Sequence, residues 1–498
     1  MTEAPAPRTF GKTAKMSAIW DFSARISSQW VMFGMSIFVA RLLTPADYGI
    51  TAAARFFITL ATRVTQLGLN ASLVRMKEIR PEHVSSVFVI NLGAGALAFV
   101  TLSVGSSTMG RFFGSPEVAR LLPVAATVFL IVPFSTVAAA ILQRQLRYQT
   151  STMIQWCDAV FGAFVSLALA WFGWGYWSLI LGSLTGTVLA TIAKTYAARW
   201  RPSFRFSLPA FRETLSFGLG FQAKRLLYFA TTNIDNLVVG KLLGVVSLGF
   251  YDKGYGLMNQ ISDRMAFDGA LMRIFAIIRE EPARFRRALL KGVQGTAILT
   301  FPILVMALVT ADHMIPALFG SQWTPAIAPF RVLAIVGIVR TGTRAVYAAN
   351  ESLGLVWLQS GFQAVAVMLV VAGVAVGSRF GLTAAAAGVL VAAMADAGLN
   401  CWTVCRYTSV AAPDLVRAWA PPLAIAVMLA AAVLAVNSGL AYLQVTRDWH
   451  FLLADVVTAA LLYPALLFWT PFPSIREIVV ESIDDIAPAL RRWIPISL

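Results

Sequence analysis

An all-α polytopic membrane protein is the fold class this sequence predicts. About fourteen transmembrane helices would form two six-helix lobes, related by a pseudo-two-fold axis along the membrane normal, plus a C-terminal pair. Three observations predict it. Hydrophobic residues make up 58% of the 498 positions and charged residues only 13%. Soluble domains run near 25% charged, so a water-soluble enzyme is excluded. Apolar stretches of about 20 residues, the length a bilayer requires, recur along the whole chain. Two short segments also reappear, in the same order, about 200 residues later.

At the start of the chain, residues 1–15 are polar and cationic, with Arg8, Lys12 and Lys15. The stretch from Met16 to Leu43 is too long for the apolar core of a signal peptide and contains Asp21 and Arg25, so it predicts an uncleaved first span. The expected spans are 17–42, 46–69, 84–109, 119–142, 152–172, 176–198, 213–239, 245–270, 292–312, 324–345, 353–377, 381–404, 419–438 and 450–470. With the N-terminus inside, the loops on the outer side hold only Arg41, Arg111, Arg120, Lys241, Arg379 and Arg447 of the 40 Lys and Arg. Most of the rest lie in the opposite loops. That bias follows the positive-inside rule and puts both termini in the cytoplasm. Segment 271–291, LMRIFAIIREEPARFRRALLK, suits an amphipathic helix on the inner leaflet, and residues 474–498 a surface helix.

The repeat sets the domain map. Val39-Ala40-Arg41-Leu42-Leu43 with Tyr48-Gly49-Ile50 matches Val239-Gly240-Lys241-Leu242-Leu243 with Leu248-Gly249-Phe250. Phe113-Gly114-Ser115 with Pro123 matches Phe319-Gly320-Ser321 with Pro329. An even number of spans separates the copies, so both share one orientation and cargo is expected between them. The lobes are 1–205 and 206–410, followed by spans 13–14 in 411–472 and a cytoplasmic tail in 473–498.

Charges inside a span are costly and normally face a cavity or a partner. Span 1 holds Asp21 and Arg25, span 2 Arg55 and Arg63, and span 5 Asp158. Span 7 holds Lys224, Arg225 and Asp235, and span 8 Asp252, Lys253, Asp263, Arg264 and Asp268. Arg331 lies in span 10 and Asp396 in span 12. Tyr251, Tyr255, Asn259 and Ser262 give span 8 a polar stripe; span 7 adds Tyr228, Asn233 and Asn236, and span 1 Trp20, Gln29 and Trp30. Aromatic faces beside amides suit sugar rings, and cations suit phosphate. Plainer roles stand beside these: Arg25 pairing with Asp21, Arg63 snorkelling, Asp263–Arg264–Asp268 as a structural ion cluster. Asp158, Asp235 and Asp396 are candidates for ion coupling, against ordinary hydrogen bonding.

Three cysteines and three histidines are too few and too scattered for a disulfide framework or a zinc site. Cys401 and Cys405 read as packing residues, and His83, His313 and His450 as surface residues. No metal, cofactor or nucleic acid is expected. A net charge of +16 in so apolar a chain points to anionic lipid or an anionic cargo. The Ala- and Val-rich spans 11–14 offer no evident chemistry.

The segments FVARLLTPADYGI, QLGLNASLVRMKEI, ILQRQLRYQ, NIDNLVVGKLLGVVSLGFYDKGYGLM, REEPARFRRALLK and LFGSQWTPAIAPFRVLA resemble, in the same order, segments of bacterial polysaccharide-exporting flippases of the Wzx type. These belong to the multidrug/oligosaccharidyl-lipid/polysaccharide exporter superfamily. The resemblance covers residues 15–350 well and the rest by hydropathy. It implies fourteen helices and two lobes around a cavity. It also implies flipping of a polyprenyl-diphosphate-linked oligosaccharide to the outer leaflet of the bacterial inner membrane, for exopolysaccharide or lipopolysaccharide assembly. A polymerase and export machinery would be partners. The charges themselves, rather than the resemblance, suggest the roles: Arg25, Arg55, Lys224 and Arg225 would offset the diphosphate's lost hydration, Arg63 would also line the cavity, and Asn233, Tyr251, Tyr255 and Asn259 would contact the glycan. An ion-coupled drug exporter of the same superfamily would want an acidic cavity. A membrane-embedded polymerase or ligase would want a large outer loop, and the outer loops here are short.

Overall fold

The computed structural model describes residues 31–65, 72–74, 76, 79–215, 219–263, 268–468, 472 and 475. Asp21, Arg25, Trp20, Gln29 and Trp30 lie outside them, as do the side chains of Lys224, Arg225, Tyr228, Asp263, Arg264 and Asp268 and most of the tail. The described residues are helical, without strands. Among them eleven helices are long and apolar enough to cross a membrane. Contacts divide the chain into two compact units, residues 1–249 and 250–498.

The first unit runs through α1 (Val31–Leu42), α2 (Pro45–Thr65), α3 (Pro81–Phe113), α4 (Pro116–Ala126), α5 (Val128–Arg144), α6 (Tyr148–Trp171), α7 (Trp177–Ala197) and α8 (Leu208–Leu215). It ends in α9 (Leu219–Asp263), which crosses into the second unit. Residue Gly244 breaks α9, with φ 83° and ψ 171°, so this stretch is two helices meeting at a glycine. That matches the boundary expected between spans 7 and 8. Prolines open α2, α3 and α4, where the missing N–H has no partner to lose.

Both repeat signatures acquire a physical reason. Gly114 closes α3 with φ 64° and Gly320 follows the helix ending at Phe319 with φ 99°, a region that costs other residues strain. Gly49 and Gly249 cross in near contact: a Cβ at Gly49 would stand 1.7 Å from the Val245 carbonyl oxygen, and one at Gly249 1.8 Å from that of Pro45. The FGS matches therefore mark turns whose positive φ favours glycine, and the YG/LG matches a crossing with no room for a side chain. Elsewhere in this unit α6 and α7 approach through Gly162, Gly182 and Gly186.

Segment 199–215 is bolted to the start of α3. Ser86 Oγ donates to the Ser207 carbonyl at 3.3 Å and accepts from the Ser207 N–H at 2.9 Å, and Ser72 Oγ donates to the Thr214 carbonyl at 2.8 Å. His83, expected at the surface, is 2% exposed. It lies in the first turn of α3 rather than in a loop. Its Nδ1 accepts the Arg80 backbone N–H at 3.0 Å. In the neutral ring Nε2 therefore carries the proton and donates to Glu213 Oε2 at 2.9 Å. Arg80 reaches the same carboxylate at 3.2 Å. The His83 hydrogen bond first, then the Arg80 charge, holds the Glu213 carboxyl below its usual range. Support for docking from this group is therefore complete above the ordinary carboxylate pKa and is lost as pH falls through the lowered value. Glu213→Gln should lower amide protection factors across 208–215 at neutral pH, and acidification through the lowered Glu213 range should lower them in the wild type but not in the variant.

The second unit contains α10 (Asp268–Ile278), α11 (Pro282–Val309), α12 (Ala311–Phe319), α13 (Ile327–Gly342), α14 (Arg344–Ser352), α15 (Val356–Gly377), α16 (Leu382–Tyr407), α17 (Ala412–Tyr442) and α18 (Asp448–Phe468). The expected single amphipathic helix over 271–291 is corrected. Pro282 starts a new helix, so Arg284, Arg286, Arg287 and Lys291 form the first turns of the long α11. Arg286 pairs with Asp414 at 2.9 Å. Helices α15 and α16 meet backbone to backbone, a Cβ at Gly388 falling 2.2 Å from the Gly373 carbonyl carbon. Of the tail, Ile475 is buried against Ile298 and Ile425.

Candidate functional site

The second unit carries a polar network at the depth of its apolar helices. Asp396 on α16 accepts a short hydrogen bond from the Tyr347 hydroxyl on α14. Asn400, one turn on, gives its Nδ2 to the Asp396 backbone carbonyl at 2.9 Å and to Oδ1 at 3.3 Å. Asn350 Nδ2 donates to the Asn400 carbonyl at 3.0 Å and its Oδ1 at 3.3 Å. Gln359 on α15 reaches the Tyr347 carbonyl at 3.2 Å and Asn400 Oδ1 at 3.4 Å. Asn350, Gln359 and Asn400 are all buried. The Asn350 Oδ1 and Gln359 Oε1 oxygens have no hydrogen-bond partner among the described residues, so acceptors outnumber donors here.

Arg340, on α13, reaches α9. Its Nη1 donates to the Tyr255 hydroxyl at 2.5 Å, with the guanidinium 5.6 Å from the ring centroid. Tyr255 stacks on Tyr251, centroids 5.9 Å apart. The Arg340 charge also acts on Tyr347 and Asp396. Tyr251 is wholly buried and Tyr255 nearly so, while Asn259 and Arg340 are half-buried. Lys253 lies 4.1 Å over the Phe319 ring and 5.7 Å over Trp323, an aromatic shelf that shelters an intramembrane ammonium. Arg331 is taken by Asp312 at 2.5 Å.

In the first unit the candidates are more dispersed. Arg55 is exposed on α2 between buried Ala54 and Phe56, and Arg63 is half-buried in the last turn. Asn233 spends its amide on the Phe229 carbonyl at 3.0 Å and Thr232 Oγ1 at 2.9 Å. Asp235 is buried and accepts the Asn236 N–H at 3.0 Å. Asp158 on α6 faces Gly186 on α7 and interacts with the charge of Lys194, which hydrogen-bonds Ser135 at 3.2 Å.

Sequence reading missed Lys194, Arg340, Tyr347, Asn350, Gln359 and Asn400. Beside Asp396, Gln359 and Asn400 give spans 11 and 12 a hydrogen-bond network that their Ala- and Val-rich composition did not suggest. Asp396 and Asn400, four apart in an Ala- and Val-rich helix, were the available signal.

A profile described as polysaccharide biosynthesis protein matches residues 38–328. The chain is similar to the lipopolysaccharide biosynthesis protein WzxC of Escherichia coli (strain K12), 25% identical over 313 residues, 61% of this chain and 62% of that protein. It is 30% identical to the teichuronic acid biosynthesis protein TuaB of Bacillus subtilis (strain 168) over 56% of this chain and 58% of that one. The match to the succinoglycan biosynthesis transport protein ExoT of Rhizobium meliloti is 26% over 66% and 67%. The chain thus spans about three-fifths of the length of the first two. In fold it is similar to a lipid II flippase MurJ, inward closed, with a TM-score of 0.66 over 93% of this chain and 99% of that one at 14% identity. It is also similar to an inward-facing multidrug resistance MATE family transporter of the MOP superfamily, at 0.61 over 78% and 98% and 13% identity. A profile match across more than half of its residues, on this all-helical multi-pass fold, makes the chain a member of the polysaccharide biosynthesis protein family.

Proposed function

We propose that this protein is a transporter, not an enzyme, that flips a polyprenyl-diphosphate-linked oligosaccharide from the cytoplasmic to the outer leaflet of the bacterial inner membrane by alternating access. Exopolysaccharide or lipopolysaccharide assembly would consume the product. The observation that carries the reading is the polysaccharide-biosynthesis match over residues 38–328 in a chain whose fold is similar to a lipid II flippase along 93% of its length. Cationic side chains on otherwise apolar helices support it, because a diphosphate leaving water needs opposite charge. Arg25, Arg55, Arg63, Lys224 and Arg225 face the diphosphate in this reading; Asn233, Tyr251, Tyr255 and Asn259 serve the glycan. Both termini are cytoplasmic. Polymerase and export proteins are the partners.

The membrane potential favours this direction. One charge crossing 100 mV is worth about 2.3 kcal/mol, so a head group with two negative charges gains on the order of 4–5 kcal/mol moving outward. Replacing Arg55 is the direct test of the cationic path. Arg55→Ala should cut export about tenfold or more and Arg55→Lys should restore part of it, read as lipid-linked oligosaccharide retained on the inner leaflet. Wild-type export in both would remove Arg55 from the mechanism.

A further inference from the structure

We propose that Asp455 is a proton-binding site, with His313 and Asp448 as its route to water. The inference goes beyond the flippase reading and does not depend on the cargo. It places a titrating group on the α17–α18 pair, apart from Asp158, Asp235 and Asp396.

Asp455 follows Asp448, the first residue of α18, by two turns, about 10 Å along the helix. It is 3% exposed, and neither of its carboxyl oxygens has a hydrogen-bond partner among the described residues. Helix α17 packs along α18 and joins it through residues 443–447. Asn437, near the end of α17, therefore stands at a similar depth, and its Oδ1 is also buried without a partner among the described residues. The Asp455 oxygens and Asn437 Oδ1 together offer acceptors and no donor. A carboxylate in that place would be a bare charge away from water, which is prohibitively costly. A bound proton removes the charge and supplies the missing donor.

The route to water lies along one face of α18, where Asp448, Phe451 and Asp455 follow at helical spacing. His313 of α12 touches the first two. Its Nδ1 is 3.3 Å from Asp448 Oδ1, and its ring stacks on Phe451 with centroids 4.2 Å apart. Asp455 is the next turn along that face, and His313 and Asp448 are both partly exposed. A carboxylate only accepts, so in the neutral ring Nδ1 carries the hydrogen toward Asp448 and Nε2 keeps a lone pair. Nε2 takes the proton that Asp455 releases; the imidazolium gives its Nδ1 proton to Asp448 and thence to water, so one proton has moved and no other bond has changed. The ionisable groups on the packed helices are Asp312 and His313 of α12, Asp414, Arg417 and Tyr442 of α17, and Asp448, His450 and Tyr463 of α18. Asp312 is taken by Arg331, Asp414 by Arg286, and the Tyr463 hydroxyl by the Ile298 carbonyl of α11, whose own charges lie in its first turns.

The test uses the full chain in lipid nanodiscs, carrying isotopically labelled aspartate and read by infrared spectroscopy. Wild type at neutral pH should show a protonated-aspartate C=O band that Asp455→Asn lacks. Asp455→Glu should move that band out of the labelled set, which keeps the assignment should the amide variant misfold. In deuterium oxide, exchange at this carboxyl should be about tenfold slower in His313→Gln, whose side chain cannot shuttle a proton. Thermal unfolding gives an independent sign. A native state that keeps a proton the unfolded chain has lost grows less stable as pH rises above the ordinary carboxylate range. Asp455→Asn should therefore melt above wild type, and by more at higher pH. Absence of the band from wild type overturns the proposal, as does a band that neither substitution alters or a folded Asp455→Asn that melts below wild type throughout. Exchange in His313→Gln as fast as in wild type overturns the route. None of these readouts involves cargo, so they leave the flippase reading untouched.

Discussion

Valine at Gly49 or at Gly249 should prevent α2 and α9 from crossing as closely as they do, with loss of export and a lower unfolding temperature in either case. The contact is reciprocal. Each missing Cβ would fall inside a backbone carbonyl oxygen of the other helix, at 1.7 and 1.8 Å. Backbone has no rotamer to yield, so both helices must separate. Overpacking typically costs about 1–3 kcal/mol where side chains can give way; carbonyl obstacles put these two substitutions at or above the top of that range. Because neither position is more open than the other, the two variants should lose similar stability, and thermal unfolding in one detergent checks it. A Gly49→Val protein with wild-type melting would mean that the crossing is not held this closely.

Lys194→Met should also destabilise the protein, for an electrostatic reason. Lys194 and Asp158 are the charged pair of the α6–α7 hairpin, with Ser135 also on the ammonium. Removing one partner leaves the other charge without its counter-charge in a half-buried setting, so the loss should stay below the about 3–5 kcal/mol of a fully buried pair. Asp158→Asn combined with Lys194→Met should recover most of that loss, because a pair replaced whole leaves no stranded charge. Thermal unfolding of the two single variants and the double one gives the coupling energy. If the double variant also exports, Asp158 is structural; if it folds and does not, Asp158 belongs to ion coupling.

Much of the architecture was legible because the bilayer imposes simple constraints. A span must be apolar for about 20 residues, so helix positions follow from hydropathy, and Gly114 and Gly320 marked equivalent turns because their positive φ favours glycine. Partnership was not legible. Arg340 meets Tyr255 across 85 residues, and Gln359 meets Asn400 across 41; a single amide in an apolar run looks the same whether it is satisfied by its own helix or by a network. Asn233 shows the former and Asn400 the latter. His83 was misjudged because the helix of span 3 starts earlier than its apolar run, and the ring is buried only once the 199–215 segment packs over it. The 271–291 segment was misjudged because amphipathic spacing continues unbroken across Pro282, where the helix does not.

Helices draw together in lipid without help from water, so association depends on close packing and on hydrogen bonds. The Gly373–Gly388 approach gives α15 and α16 the first, and Gln359 with Asn400 gives them the second, all within one hairpin of the chain. That hairpin therefore holds the means of its own assembly: it can zip up while the ribosome is still making α17 and α18, which are then added to a finished part.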